Sequence, residues 1–163
     1  MYSQTIEAFY SLFSKIKSSW VWAKFGWNDH DYDYVKILEA LLFKLKINQK
    51  AMEFHGRHES SEDDAKQMME AIVLLNNFIT DKYHEESEKV FVEKYGEMVF
   101  APFPIQDGLF GCNLSREKIQ SAEEEEAYAL EYHSEINSSY EKGKADLTKS
   151  FGIILDNCER WWI

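Results

Sequence analysis

Proline is almost absent from this chain, and its two copies, Pro102 and Pro104, lie close together. Proline interrupts helices because it lacks a backbone N–H and its ring collides with the preceding turn. Elsewhere in the 163 residues the apolar side chains recur at steps of three and four, which is the spacing of helices rather than strands. The sequence therefore predicts an all-α fold: a helical bundle with long helices and one proline- and aromatic-rich loop, or short β-ribbon, near residues 97–114.

The length and the 45% apolar composition suffice for one substantial core, so we expect residues 1–163 to form a single helical domain. The first helix is predicted from Ser3 to Lys17, followed by an aromatic-rich connector that is expected to be locally extended. Another helix is predicted over residues 32–54. The remaining helical segments are expected from Ser60 or Ser61 to Gly96, with a kink near Asp81, and from Ser115 to the end, with Gly143 as the expected kink.

The inward stripes of these helices predict which side chains are buried together. The predicted core consists of Leu38, Leu41, Leu45, Met68, Ile72, Leu75, Ile136, Leu147, Phe151 and Ile154. The last helix ends in Trp161-Trp162-Ile163. Large apolar residues at a chain end imply burial, because a chain end otherwise frays. We expect a homo-oligomer that forms through the C-terminal helix, with Trp161 and Trp162 at the contact. Packing of this helix within its own bundle is the alternative.

Charge is unevenly distributed along this chain, whose formal net charge is −11. Residues 1–58 contain eight Lys/Arg and six Asp/Glu, whereas residues 59–163 contain ten and 23. So acidic a protein repels phosphate backbones, which disfavours binding to duplex nucleic acid. Cys112 and Cys158 lack the spacing of a disulfide framework, and no apolar stretch approaches the ~18 residues of a membrane span. We expect a cytoplasmic protein without a membrane partner.

Cationic side chains concentrate in the turn between the second and third predicted helices, with the sequence His55-Gly56-Arg57-His58. A helix N-terminus presents unsatisfied N–H groups to anions, and arginine can bind a phosphate through two hydrogen bonds. Indole rings could stack on a base. The predicted ligand site comprises His55, Arg57, His58, Ser60, Ser61, Lys66, Trp22 and Trp27. Alternatively, Glu62, Asp63 and Asp64 already satisfy this helix start, and the turn is only a cap.

Metal chemistry has weaker support from the spacing of potential ligands. His55-x-x-His58 lacks the i, i+4 spacing and the intervening glutamate of a zinc-protease helix. The pair His30-Asp31 is similar to the HD pair of metal phosphohydrolases, with other histidines as possible further ligands. Asp31 is equally well explained as a helix cap. We therefore predict no metal ligands, no cofactor and no catalytic residues, while the His30-Asp31 alternative stays open.

Two carboxylate pairs, Glu85-x-x-Glu88 and Glu123-x-x-Glu126, would each lie on one helix face. Such pairs hold magnesium between the helices of all-α nucleotide pyrophosphohydrolases. Here they occur in charged runs without apolar residues between them, which is typical of a solvated helix face. No glycine-rich phosphate loop and no nucleophile elbow occurs. A metal-dependent nucleotide hydrolase is therefore the least favoured of the hypotheses.

Three short motifs are distributed along the chain: D-Y-x-Y at Asp31–Tyr34, the Gly56-x-His58 turn and the terminal Trp161-Trp162. In these motifs the chain resembles a group of small uncharacterised helical proteins of tailed bacteriophages, and the resemblance covers most of residues 20–163. It implies a phage accessory protein in the host bacterial cytoplasm, acting in host takeover, nucleotide metabolism or evasion of host defence. It implies no catalytic residues.

Three functions remain as hypotheses. The first is a non-catalytic counter-defence protein that sequesters a phosphorylated nucleotide or a nucleotide-like immune signal. The second is an acidic protein-interaction inhibitor, or nucleic-acid mimic, that occupies a basic groove on a host protein. The third is the metal-dependent hydrolase. The expected partner is thus a phosphorylated nucleotide or a host protein.

Overall fold

The computed structural model describes residues 2–27, 34–55, 61–104 and 110–161, with the backbone alone for residues 2–10, 34 and 55. Within these ranges the chain is mainly helical, as predicted, with a small two-stranded antiparallel sheet. The elements are α1 (Tyr2–Gly26), α2 (Tyr34–His55), α3 (Ser61–Ile79), α4 (Lys82–Tyr95), β1 (Met98–Pro104), β2 (Phe110–Arg116) and α5 (Ala122–Trp161).

Helix α3 lies at the centre of the main core, between α2 and α5. Its buried positions recur at steps of three and four, so they form one stripe along the helix. The stripe packs against buried side chains of α2 and of the second half of α5. The core consists of Leu38, Leu42, Leu45, Met52, Ala65, Met68, Ala71, Ile72, Leu75, Ile154 and Trp161.

The predicted core is largely confirmed. Six of its members are buried in the core: Leu38, Leu45, Met68, Ile72, Leu75 and Ile154. Three more are partly buried and pack against it, namely Leu41, Leu147 and Phe151. Ile136 is only half-buried, in the half of α5 that faces the shorter α4.

Helix α5 runs antiparallel to α3 and α4 in turn. Its 40 residues span about 60 Å, long enough to lie along both shorter helices. Lys149 of α5 pairs with Glu70 of α3 at 2.7 Å. Nearer the N-terminus of α5, Glu131 pairs with Lys94 of α4 at 2.7 Å. The helix continues without a break through Gly143, the predicted kink, which is buried beside Phe78.

Two predicted boundaries were wrong. Helix α1 does not stop at Lys17 but continues to Gly26, so the expected extended connector is helical as far as Gly26. The aromatic residues there follow helical spacing, and Trp22 and Phe25 pack on Phe43 of α2. At the other end of the chain, Ser115 belongs to β2 rather than to the last helix, which begins at Ala122.

The predicted kink near Asp81 is a complete break between α3 and α4. Asp81 adopts the left-handed conformation, with φ 49° and ψ 40°, which a helix interior cannot contain. Near residues 97–114, the strands β1 and β2 pair as an antiparallel β-hairpin, and β1 contains both prolines. None of the helices that the structure describes is long and apolar enough to cross a membrane.

Candidate functional site

The predicted anion site falls where α2 ends and α3 begins. The backbone of His55 closes α2, and Ser61 opens α3. Arg57, His58 and Ser60 lie outside the described residues, as does the side chain of His55. The described part of the site therefore consists of the last turns of α2 and the first turns of α3, which are antiparallel neighbours.

The first turn of α3 is fixed by an ion pair with the far end of the chain. Asp64 is completely buried, and the guanidinium of Arg160, near the end of α5, pairs with its carboxylate. Ser61 is also buried, with 4% of its surface exposed. The acidic side chains Glu62, Asp63 and Asp64 lie at the positive end of the helix dipole. This placement agrees with the alternative in which these residues satisfy the start of α3 without a ligand.

Lys66 is exposed, but carboxylates of its own helix already compensate its charge. Its Nζ lies 3.1 Å from Glu62 and 3.7 Å from Asp63. The hydrogen bond with Glu62 is the main reason that the pKa of Lys66 is raised above its ordinary value. A phosphate at this helix start would therefore have to compete with two carboxylates for this ammonium group.

A cavity of about 520 Å³ opens between the end of α2 and the start of α3. This volume falls within the ~300–1,000 Å³ of small-molecule sites. Within the lining, the Nε2 amide of the buried Gln49 donates a hydrogen bond to Glu53 at 3.1 Å. The residues that line the cavity are Gln49, Met52, Glu53, Ser61, Glu62, Ala65, Lys66 and Met69. Its described wall thus combines apolar side chains with two carboxylates and one ammonium group.

The two tryptophans of the predicted site do not line this cavity. Trp22 lies on α1, with its ring edge-on to Phe43 at a centroid distance of 5.2 Å. Trp27 follows α1 and is 86% exposed. Of the eight predicted site residues, the structure brings Ser61 and Lys66 to the cavity, whereas Trp22 serves as a packing residue between α1 and α2.

A polar seam that the sequence did not reveal joins α4 to α5. The hydroxyl oxygens of Ser87 and Ser139 are 2.8 Å apart, and Ser87 Oγ is 2.9 Å from a carboxylate oxygen of Glu135. Because each hydroxyl has one proton, Ser87 donates to one oxygen at a time, and Ser139 supplies a second donor. Farther along, Asp146 accepts hydrogen bonds from Asn77 and Tyr83. These groups satisfy one another.

A second cavity, of about 460 Å³, opens beside this seam. Tyr83, Ser87 and Glu135 contribute to its wall, together with the exposed Lys142, whose Nζ lies 3.7 Å from Glu135. Among the described residues, this wall contains neither a histidine nor a cysteine that could activate a hydroxyl. The contacts of the two serines are those of helix packing.

Arg116 is a further residue that the sequence did not single out. Its side chain is only 1% exposed. It donates hydrogen bonds to Glu88 at 2.7 Å, to the Tyr128 hydroxyl at 3.1 Å and to the Gly96 carbonyl at 3.3 Å. Burial opposes its charge, but the bonds to Tyr128 and Glu88 outweigh burial, so the pKa of Arg116 lies above its ordinary value. It anchors β2 to α4 and α5.

The predicted carboxylate pairs have different surroundings. Glu88 is bound to Arg116, whereas Glu85, Glu123 and Glu126 are exposed, as expected for solvated faces. Among the residues that the structure describes, no three His, Cys, Asp or Glu side chains are placed to hold a metal ion. His30 and Asp31 lie outside those residues. No protein-family model, curated protein or solved structure matches the chain.

Proposed function

We propose that this protein is a non-catalytic phage accessory protein that sequesters a phosphorylated nucleotide, or a nucleotide-like immune signal, at the turn between α2 and α3. The observation that carries the proposal is the cavity of about 520 Å³ between the end of α2 and the start of α3. Its position agrees with the place where the sequence concentrates His55, Arg57 and His58 at a helix start.

The two parts of such a ligand require different surroundings. The apolar part of the cavity wall, with Met52, Ala65 and Met69, suits the faces of a nucleobase. The phosphate requires cations and N–H donors. Glu53 and Glu62 outnumber Lys66 in the described wall, and Lys66 is already paired. The residues of the turn must therefore supply the positive charge in this proposal.

Arg57→Ala is expected to weaken the binding of a nucleotide roughly 10- to 150-fold, equivalent to ~1.5–3 kcal/mol for a hydrogen bond to a charged group. Titration calorimetry against a panel of linear and cyclic nucleotides measures this effect. Lys50→Ala is the matched control, because it removes one exposed positive charge of α2 that does not line the cavity.

The affinity should also depend on pH if His55 and His58 contact the phosphate. An imidazole is positively charged only below its pKa, ordinarily about 6.5. Binding should therefore weaken as the pH rises through this range, and this dependence should disappear in the His55→Ala/His58→Ala variant. An unchanged affinity after replacement of His55, Arg57 and His58 together would place the site elsewhere.

Met69→Trp tests the cavity itself with a described residue. Met69 lines the cavity and is 44% exposed, so a larger ring can fill the space without entering the core. We expect this variant to lose nucleotide binding while its thermal unfolding stays close to that of the wild type. Incubation of the wild type with nucleotides and magnesium or manganese should return the nucleotides unchanged, and hydrolysis would favour the enzyme hypothesis.

A further inference from the structure

The β-hairpin presents two faces of different character. Its register pairs Phe100 with Leu114, Pro102 with Cys112 and Pro104 with Phe110, and directly opposed residues of an antiparallel pair lie on the same face. We call this set of six residues the apolar face. On this face Phe100 is 64% exposed, Phe110 74% and Leu114 56%. Its described side chains include no charged group.

The opposite face contributes to the stability of the hairpin itself. Phe103 is paired with Gly111, and a Cβ atom added at Gly111 would lie only 2.4 Å from the ring of Phe103. The ring therefore covers the glycine, and a side chain at position 111 would require the ring to shift. Phe103 is 40% exposed, clearly less than Phe100 or Phe110. Cross-strand packing thus covers Gly111 on this face, whereas Phe100, Phe110 and Leu114 of the apolar face remain more than half exposed.

The inner end of the apolar face, which we call its root, is held by Arg116 and lies close to acidic side chains. Arg116 continues this face inward, where it binds Glu88 and Tyr128. Tyr128 lies one helical turn after Glu124, so the acidic start of α5 is close to the root. Hydrogen bonds place Glu97 next to Glu117 and Glu93 next to Lys118, just beyond the root. We call these exposed glutamates, together with those at the start of α5, the acidic collar: Glu93, Glu97, Glu117, Glu123, Glu124, Glu125 and Glu126.

The collar indicates the charge of the partner. Lys118 is the exposed lysine among these carboxylates, and the nearby Lys94 is paired with Glu131. An uncharged aromatic surface inside a charged rim is the usual composition of a protein interface. A second copy of the chain would set one acidic collar against another, which electrostatic repulsion opposes. Pro102 and Pro104 remove two backbone donors from β1, so addition of another strand to β1 is also disfavoured.

We propose that the apolar face docks against an apolar surface of a protein partner, and that basic side chains form the rim of that surface. The phenyl rings of Phe100 and Phe110 are the anchors, and the acidic collar aligns with the cationic rim. This docking surface is separate from the nucleotide cavity, and it does not depend on capture of a nucleotide. In this proposal, the β-hairpin is the element through which the acidic protein binds its protein partner.

The test uses a fluorescent helical peptide with one leucine face and one lysine face, and a matched peptide in which glutamate replaces lysine. We expect the wild-type chain to bind the lysine peptide in an anisotropy titration, more weakly at high salt, and not to bind the glutamate peptide. Phe100→Ser/Phe110→Ser should weaken binding about 30-fold, as expected for interface anchors. Leu130→Ser/Leu155→Ser is the matched control, because both leucines are about equally exposed on α5, at 69% and 70%.

Three outcomes of the titration would overturn the proposal: failure of the lysine peptide to bind, equal binding by the hairpin variant, or equal binding of the glutamate peptide. Sedimentation velocity of the chain alone provides a separate arm. A dimer that the hairpin variant abolishes would identify a second copy as the occupant and would equally overturn the proposal. Because no nucleotide is present, neither arm depends on ligand capture at the turn.

Discussion

Replacing Trp161 with alanine is expected to lower the free energy of unfolding by about 3–5 kcal/mol, the range for truncation of a buried tryptophan. Trp161 is 3% exposed and belongs to the core formed by α2, α3 and α5. The loss should be the same at low and high protein concentration, because the buried contacts are within one chain. Urea denaturation at two widely separated concentrations measures both quantities.

Two variants control this experiment. Leu155→Ala truncates an apolar residue of the same helix that is 70% exposed, and it should leave the stability nearly unchanged. Trp161→Phe should retain much of the stability, since the indole nitrogen of Trp161 has no hydrogen-bond partner among the described residues. A loss that appears only at high concentration would instead show that Trp161 acts through assembly, because assembly stabilises the wild-type chain more as its concentration rises.

The burial of Trp161 changes the basis of the predicted homo-oligomer. A large apolar residue near the chain end needs burial, and α2 and α3 already bury Trp161. Trp162 lies outside the described residues. Oligomerisation stays a prediction, but Trp161 no longer supports it. Another apolar surface is exposed on α1, consisting of Leu12, Phe13, Ile16 and Trp20.

The sequence predicted most of the fold because its core helices are regularly amphipathic. Leu38, Leu45, Met68, Ile72 and Leu75 lie at helical spacing, and all five are buried. Periodicity does not determine where a helix starts, so the predicted start of the last helix, Ser115, lies before the observed start, Ala122. A readable signal did exist: Ser121 and Glu124 form a capping box, in which Ser121 Oγ accepts a hydrogen bond from the Glu124 N–H and the Glu124 carboxylate accepts one from the Ser121 N–H.

The candidate site was harder to predict, because its local and distant contacts differ in how they appear in a sequence. The pairing of Lys66 with Glu62 follows from their i, i+4 spacing and could have been anticipated. The pairing of Asp64 with Arg160 joins α3 to α5, and no local pattern reveals it. Trp22 is predicted at the ligand site because an extended connector would leave its indole ring available for stacking. Once α1 continues to Gly26, Trp22 belongs to a helix contact.

Arg116→Ala is expected to destabilise the protein by about 3 kcal/mol and to loosen the hairpin. Removing one partner of a buried ion pair costs ~3–5 kcal/mol, because the other charge is left uncompensated. We expect the lower end, since the Glu88 side chain is 32% exposed. Chemical denaturation measures the loss. Relative to the wild type, hydrogen exchange in this variant should accelerate more at the backbone amides of β1 and β2 than at those of the α3 core.

Two further variants test whether the uncompensated charge of Glu88 causes the loss of stability. One removes both charges of the buried ion pair, and the other breaks an exposed ion pair. Arg116→Met combined with Glu88→Gln removes both charges, so it should recover part of the stability that the single variant loses. Lys94→Ala breaks the exposed pair with Glu131 and should have a much smaller effect. Equal losses for Arg116→Ala and Lys94→Ala would contradict the role of Arg116 as the anchor. The same result would weaken the proposed docking surface, because the apolar face needs a rigid root to present its two phenyl rings together.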